Sequence, residues 1–221
     1  MQKDLEFRRP NISDEVANAI RNMIVDGALE PGSRINEVHL ARQLGVSRTP
    51  LREAIAHLTR EQTLIGVPRI GSFVKPLSVE EFEQIYPIRA LLDPEALRLA
   101  GIPSTARIRQ LERLNVRLST ATDAEEIMAL DDEWHLLLVA GCPNEVLLEL
   151  IRDFIRRTRR YELGLMREQR NVTASAGEHD AIIAALRAGD LPEALEALRH
   201  NLESGVEPII EWLRAREGEK P

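Results

Sequence analysis

The stretch LARQLGVSRTPLREAIAHLTRE, residues 40–61, decides the fold of the N-terminal part of this chain. Its first helical pattern ends at Gly45, because glycine commonly terminates helices. Two residues later, Ser47 is placed to cap a second helix, and Pro50 is tolerated in the first turn of that helix. A helix, a glycine-containing turn and a second helix form the signature of a helix-turn-helix motif. The stretch therefore predicts a unit that presents its second helix to the major groove of DNA.

The residues on either side of this motif complete a winged unit. Residues 12–28 place apolar side chains at helical spacing, which predicts an amphipathic helix before the motif. Residues 63–75, TLIGVPRIGSFVK, contain β-branched and aromatic residues around a turn near Gly71, which is typical of a small hairpin. We therefore expect a winged helix-turn-helix DNA-binding domain over residues 1–76.

From residue 77 onward the sequence is helical with short breaks. Six segments of apolar periodicity are separated by glycine, proline, asparagine or aspartate. They cover residues 79–100, 104–121, 123–140, 144–167, 172–188 and 190–215. Long helices joined by short connections favour an antiparallel bundle. The predicted fold class is mostly α, with an N-terminal winged helix-turn-helix and a C-terminal antiparallel six-helix bundle over residues 77–221.

Composition argues against a membrane protein and against disulfide stabilisation. The 221 residues are 43% hydrophobic and 29% charged, Cys142 is the single cysteine, and no apolar run is long enough to span a bilayer. The first ten residues lack the apolar stretch of a secretory signal, so we expect a cytoplasmic protein. The net charge of −7 is unevenly divided: residues 1–76 hold eleven basic and nine acidic side chains, and the remainder hold eighteen and twenty-seven. Only charges near the phosphates affect DNA binding, so the acidic C-terminal part does not exclude it.

The candidate DNA-reading residues lie at the front of the second helix of the motif. Arg48 occupies the first turn and Arg52 the next, so both side chains project from the same end. An arginine in the major groove donates two hydrogen bonds to guanine O6 and N7. Ser47, Thr49 and the N-terminal amides of the helix are expected to contact phosphates. A single exposed arginine is more often a solvated charge, so this prediction depends on the whole combination of helices, turn and wing.

The hairpin adds a second candidate contact with DNA, since Arg69 beside Gly71 lets a cation and the backbone approach the minor groove.

With the helix-turn-helix and the hairpin taken together, residues 13–75 resemble the GntR family of bacterial regulators. The matching stretches are AIRNMIVDGALEPGSRINE, LARQLGVSRTPLREAIAHLTRE and PRIGSFV. The resemblance implies a homodimer that binds an inverted repeat in double-stranded DNA, with Arg48, Arg52 and the wing near Gly71 at the DNA.

Three of the five histidines lie in the second half, each in a helical segment rich in leucine, alanine or isoleucine; they are His135, His179 and His200. Asp131 precedes His135 by four residues, so both share one helix face, as two ligands of a single metal must. Asp132 is an alternative acid, three residues before His135. A single histidine on an apolar face is more often a packed core residue than a ligand.

A second resemblance bears on these histidines. Residues 79–215 are similar to the FCD ligand-binding domain of the FadR subfamily of GntR regulators, on the stretches IYPIRALLDPEALRLA, DDEWH, EHDAIIAALRAGD and ALRHNL. The six-helix count is similar to the VanR-like branch. The resemblance implies a divalent metal held by one aspartate and three histidines, which map to Asp131, His135, His179 and His200. Zinc or nickel is the expected ion, with manganese as a further candidate.

The resemblance also implies an effector class, namely small carboxylates that chelate the metal and pair with a nearby cation. Arg89, in YPIRALLD, is the first candidate for this effector-binding cation. An arginine from RDFIRRTRRYE, residues 152–162, is the second. Most arginines of that run are expected to be solvated or paired with acids one turn away.

These observations together predict a bacterial transcription regulator, in the first place a repressor, that binds a palindromic operator and responds to a carboxylate bound at a metal site. One alternative is a metal-dependent enzyme acting on a small organic acid. It is disfavoured because the sequence offers no positioned nucleophile or general base beyond the ligands. Three further interpretations stay open, namely a structural metal, a metal that is itself the signal, and activation in place of repression.

Overall fold

A computed structural model describes residues 11–25, 27–168 and 174–218 of the chain. The chain divides into two compact units, Met1–Leu77 and Ser78–Pro221. None of the described helices is both long and apolar enough to cross a membrane.

The first unit contains three helices and a two-stranded sheet. These elements are α1 (Ile12–Val25), α2 (Glu37–Gln43), α3 (Arg48–Arg60), β1 (Leu64–Val67) and β2 (Gly71–Val74). The strands pair antiparallel, with Leu64 opposite Val74. The core is formed by the apolar faces of the three helices, with Ile20, Leu51 and Leu58 completely buried. The winged helix-turn-helix fold is confirmed. α1 ends at Val25 and not at residue 28, because Gly27 adopts a φ of +71°.

Over the described residues 78–168 and 174–218, the second unit contains helices joined by short connections and no strand. Its helices are α4 (Val79–Ala100), α5 (Thr105–Thr120), α6 (Ala124–Val139), α7 (Glu145–Glu168), α8 (Ala174–Ala188), α9 (Leu191–Ser204) and α10 (Val206–Gly218). α4 packs against α7 and α9, while α5 packs against α6 and α8. The largest side chain of the core is Trp134, which is fully buried on α6.

The helix count of this unit differs from the prediction. Residues 190–215 were expected to form one helix, but α9 ends at Ser204 and α10 begins at Val206. Pro208 favours the break, since it has no N–H to donate to the carbonyl of Ser204 and lies in the first turn of α10, where that missing donor costs no hydrogen bond within the helix. The sixth predicted segment is therefore divided into two helices at the single residue Gly205, so the described part of the unit has seven helices, and its all-helical architecture is as predicted.

Gly164 gives a stability test of this packing. A Cβ atom built at Gly164, within α7, would overlap the ring of Trp212, whereas a Cβ at Gly177, within α8, would meet nothing within 4 Å. We expect Gly164→Ala to lower the free energy of unfolding by about 1–3 kcal/mol through overpacking. The matched Gly177→Ala should raise it by up to about 1 kcal/mol, because alanine favours helix. Urea unfolding followed by circular dichroism measures both; equal stability of the two variants would contradict this packing.

Candidate functional site

The front of α3 is exposed and has free hydrogen-bonding groups. Ser47 is the N-cap of α3, yet its side chain bonds no backbone amide of the helix. Arg48 and Thr49 are exposed in the first turn, and Arg48 forms no ion pair with any described residue. Arg52 is different, because its Nε donates to Oε2 of Glu37 at 2.9 Å and so connects α3 to α2. The end of the helix that was predicted to meet DNA thus offers cations and amide donors to solvent.

The tip of the wing presents Arg69 in an unusual backbone conformation. The N–H of Ile70 donates to the carbonyl of Val67 at 3.1 Å, and Arg69 has a φ of +66°. This is the third position of a tight turn, where a positive φ normally calls for glycine. A non-glycine residue in this region is strained, and such strain clusters at functional sites. Arg69 is exposed there, at the point predicted to approach the minor groove.

Arg34 is a wing residue that sequence reasoning missed. Its Nη2 donates to the carbonyl of Ile70 at 2.6 Å, and Arg34 forms a β-bridge with Phe73. A Cβ atom at Gly71 would lie 3.4 Å from Nε of Arg34, and Gly71 has a φ of +132°. Gly71 therefore permits both the turn and the close approach of the guanidinium. No motif in the sequence marked Arg34 as different from other exposed arginines.

In the second unit, α6 and α8 bring three predicted metal ligands together. Oδ2 of Asp131 lies 3.7 Å from Nε2 of His135, and Oδ1 of Asp131 lies 3.5 Å from Nε2 of His179. One ligand atom from each residue can be chosen so that all three lie within 4.8 Å of one another. Both histidines are buried. Two imidazole nitrogens and one carboxylate oxygen form a donor set that suits zinc and other first-row divalent ions.

The tautomer of His179 is set by Asn115 of α5. Nδ2 of Asn115 donates to Oδ1 of Asp180 at 2.7 Å and to the carbonyl of Ala176 at 2.9 Å. Oδ1 of Asn115 therefore points at Nδ1 of His179, 3.2 Å away, and accepts a hydrogen bond from its N–H. Nε2 of His179 is left with a lone pair, buried and without a hydrogen-bond partner. Metal-ligating histidines are typically oriented in this way by a second hydrogen bond, so the residues fit a bound cation.

Trp134 stacks on the face of the His179 imidazole. The rings of Trp134 and His179 stack with centroids 3.7 Å apart and an angle of 1° between their planes. His135 meets both rings edge-on, with its centroid 5.2 Å from each. Stacking and the bond to Asn115 together fix the ring of His179 in the orientation that directs Nε2 to Asp131.

His200 does not join this cluster, so the structure corrects the predicted fourth ligand. His200 is exposed on α9, while its neighbour Asn201 is buried and lines the cavity next to Asp131 and His135. One residue along an α-helix rotates the side chain by about 100°, which is enough to exchange a cavity-facing position for a solvent-facing one. The alternative acid, Asp132, is also outside the cluster, because its Oδ2 pairs with Nη1 of Arg159 at 2.7 Å.

A cavity of about 250 Å³ lies beside the cluster. Arg89, the predicted effector-binding cation, is buried in its wall, and its Nη2 donates to Oδ2 of Asp93 at 3.1 Å. Nε of Arg89 is buried without a partner. Among the described residues, no arginine of the 152–162 run lines this cavity, so that second candidate is not placed there. The walls also carry carboxyl groups, from Glu162 and Glu178.

Burial dominates the protonation equilibria around this cavity. Burial raises the pKa of Asp131 to about 7, and the nearby charge of Asp132 adds to the rise. Burial also raises the pKa of Glu162 to about 8, opposed by the positive charge of Arg89. The pKa of His179 is lowered to about 3 and that of His135 falls well below its usual value, in both cases mainly through burial. Both imidazoles are therefore neutral at neutral pH, which is the form that binds metals.

Four polar residues of this site were not found by sequence reasoning, and three of them had a signal. Asn115 follows Leu111 by four residues on the apolar stripe of α5, and Asn201 follows Leu198 by three on that of α9. Glu162 follows Thr158 by four residues on the buried face of α7. A polar residue on an apolar stripe is an unusual feature that can mark a site. Glu178 had no such signal beyond preceding a histidine.

The two units and their exposed and buried polar groups define a regulator that joins a DNA-binding domain to a ligand-binding helical domain. Residues 12–74 match the family described as bacterial regulatory proteins, gntR family, and residues 84–204 match the FCD domain. The chain belongs to the GntR family of transcriptional regulators and carries a C-terminal FCD domain. Members of this family are regulators that bind DNA and effectors, usually as dimers, and are not enzymes. Some FCD domains bind metals.

Curated relatives and a solved structure agree with this membership. The Nta operon transcriptional regulator of Aminobacter aminovorans is 40% identical over 140 residues, covering 62% of this chain and 67% of that protein. The gluconate operon transcriptional repressor of Bacillus subtilis is 25% identical over 210 residues, covering 90% of this chain and 85% of the repressor. E. coli McbR/YncC has a TM-score of 0.81 at 24% identity, over 93% of this chain and all of that one, and so shares the fold.

Proposed function

We propose that this protein is a cytoplasmic repressor whose dimer binds a palindromic operator and releases it when a small carboxylate binds at a metal site. The observation that carries the proposal is the cluster of Asp131, His135 and His179, because its Asp131 and His135 line a cavity whose wall also contains Arg89. A divalent ion held by three protein ligands would keep coordination positions open for a carboxylate. Zinc or nickel suits two imidazoles and a carboxylate, and manganese is the third candidate.

On the DNA side, we assign base reading to Arg48 and Arg52, and phosphate contacts to Ser47 and Thr49. Support comes from the exposure of these groups at the N-terminus of α3, where the helix dipole also favours anions. Arg69, at the exposed turn before Gly71, reaches the minor groove in this proposal. A homodimer would present two such helices about one DNA turn, or roughly 34 Å, apart, so that both half-sites are bound together.

The effector must bind one arrangement of the dimer more tightly than the other, because a ligand with equal affinity for both does not change their populations. Helix α7 connects the cavity to the first residues of the second unit. Its Glu162 lines the cavity, and the hydroxyl of the adjacent Tyr161 donates to Oε2 of Glu81 at 2.8 Å and accepts from the N–H of Ser78 at 3.4 Å. Ser78 caps α4 at the start of this unit. A displacement of α7 by the effector would therefore reach the residues that follow the DNA-binding domain.

Operator release tests this function. The region upstream of the gene is footprinted first, and we expect protection of a short palindrome. Labelled operator is then titrated with metal-loaded protein in the presence of metal alone, followed by metal with a panel of small hydroxy acids, sugar acids and dicarboxylates. We expect release only with metal and a carboxylate together. Release by metal alone would make the metal the signal, and protection without a symmetric sequence would contradict the dimeric operator.

A further inference from the structure

The cavity beside the three-ligand cluster has more hydrogen-bond acceptors than donors. Asp131, Glu162 and Glu178 place three carboxyl groups on its walls. Among the described residues, Arg89 is the one arginine or lysine of the wall, and Asp93 already pairs with it at 3.1 Å. With all three carboxyl groups ionised, a bound ion of charge +2 would leave this set still negative. Burial raises the pKa of Glu162 to about 8, so a cationic group on the ligand would stabilise the ionised form of this carboxyl group, whereas a ligand that brings only negative charge would not.

Asn201 adds an acceptor that lacks a donor. Its Nδ2 donates to Oε2 of Glu178 at 2.8 Å, so the amide is oriented with Oδ1 on the opposite side. Oδ1 is buried and has no hydrogen-bond partner, and the side chain lines the cavity. Leaving a buried acceptor without a hydrogen bond destabilises the protein. A donor group on the ligand would supply the missing hydrogen bond.

Glu162 is a second acceptor of the cavity wall without a partner, although its side chain is only half-buried. Within the described part of the chain, its carboxyl group has no hydrogen bond and no ion pair, although it lines the cavity together with Tyr86 and Arg89. Glu178 differs, since its Oε2 is already occupied by Asn201 and by the hydroxyl of Ser204 at 3.0 Å. Glu162 and Oδ1 of Asn201 are thus acceptors that remain available to a ligand.

We propose that the effector carries an ammonium group beside its carboxylate, and that the carboxyl group of Glu162 and Oδ1 of Asn201 accept hydrogen bonds from it. The ligand class is therefore an amino acid or a closely related amino carboxylate. This inference rests on the proposed function, which assigns the carboxylate of the ligand to the metal and Arg89. The cavity volume of about 250 Å³ lies just below the ~300–1,000 Å³ of pockets for drug-sized molecules, and so favours a small metabolite.

The test uses matched acids that differ in one group. The zinc-loaded full-length protein is titrated calorimetrically with alanine, lactate and propionate; with aspartate, malate and succinate; and with glutamate, 2-hydroxyglutarate and glutarate. In at least one triplet we expect the amino member to bind at least tenfold more tightly than its hydroxy and unsubstituted counterparts. The same member should release the operator.

Two variants then assign the preference to the cavity. Glu162→Gln keeps the shape of the side chain but cannot become negatively charged when an ammonium group binds, so the preference for the amino member should fall at least tenfold while zinc stoichiometry stays unchanged. Glu196→Gln removes an exposed carboxylate of α9 and should behave as wild type. An amino preference that Glu162→Gln leaves intact would overturn the inference, because the amine would then bind elsewhere, for example to the metal.

The outcomes separate this inference from the function on which it rests. Hydroxy or unsubstituted acids that bind and release the operator as well as their amino counterparts would overturn the ammonium assignment and leave carboxylate sensing in place. A protein that binds none of the nine acids contradicts the ammonium assignment too, and failure of the wider carboxylate panel to release the operator contradicts the proposed function.

Discussion

Arg48→Ala is expected to abolish specific operator binding. A bidentate arginine–guanine contact contributes about 1–3 kcal/mol of discrimination. A dimer loses two such contacts, so operator affinity should fall by roughly 30-fold to more than 10⁴-fold. The side chain is exposed and makes no ion pair with a described residue, so its removal should not perturb the fold.

The measurement is fluorescence anisotropy with the footprinted operator and a scrambled duplex at one fixed salt concentration, since affinity for DNA depends steeply on salt. Arg60→Ala is the matched control, because Arg60 is exposed on the same helix but twelve residues, or about 18 Å, from Arg48. It should keep near wild-type affinity for both duplexes. If Arg48→Ala still prefers the operator over the scrambled duplex as wild type does, Arg48 does not read bases.

The DNA-binding domain was predictable because its signals are local. Gly45, Ser47 and Pro50 mark the end of one helix and the start of the next within a few residues, and the strand pattern of residues 63–75 follows directly. The conformation of the wing depends on a longer-range contact. Arg34 reaches Ile70 across 36 residues, and no local pattern encodes that contact.

The cluster of Asp131, His135 and His179 was predictable only in part, for a reason of helical phase. Asp131 and His135 share a face through their spacing of four, and the structure places His179 beside them. Residue type alone favours His200 as the fourth ligand, whereas the buried residues Ala194 and Leu198 of α9 put position 201, not 200, on the inner stripe. The acidic cavity wall depends on how α7 packs against other helices, which periodicity alone does not determine.

Removal of the imidazole at position 179 is expected to eliminate high-affinity metal binding. Chelator-stripped wild-type protein should bind one equivalent of zinc or nickel per chain by calorimetry. His179→Ala removes one of three ligands whose donor atoms lie within 4.8 Å, so we expect affinity to fall by at least ~100-fold, or about 2.7 kcal/mol. At an ion concentration of 100 times the wild-type Kd, wild type should gain about 2.7 kcal/mol of stability on metal addition, and His179→Ala almost none.

His200→Ala is the control that distinguishes the two ligand sets. His200 is exposed, so its removal should leave stoichiometry, affinity and the metal-dependent stabilisation unchanged. If His200→Ala lowered metal affinity as much as His179→Ala does, His200 would be a fourth ligand and the exposed position given to it on α9 would be contradicted. Asn115→Ala should weaken binding by about 10–100-fold without changing stoichiometry, since it removes the bond that orients His179.

Asn201→His is the complementary variant, because it adds a metal ligand where His179→Ala removes one. Asn201 lines the cavity beside Asp131 and His135, and an imidazole at this position would supply a fourth protein ligand for a tetrahedral ion. We expect zinc affinity to rise by at least tenfold, about 1.4 kcal/mol. Because four protein ligands close the coordination sphere of zinc, carboxylates should then no longer release the operator from the zinc-loaded variant. Tighter zinc binding with an unchanged carboxylate response would mean that the effector does not bind through the metal.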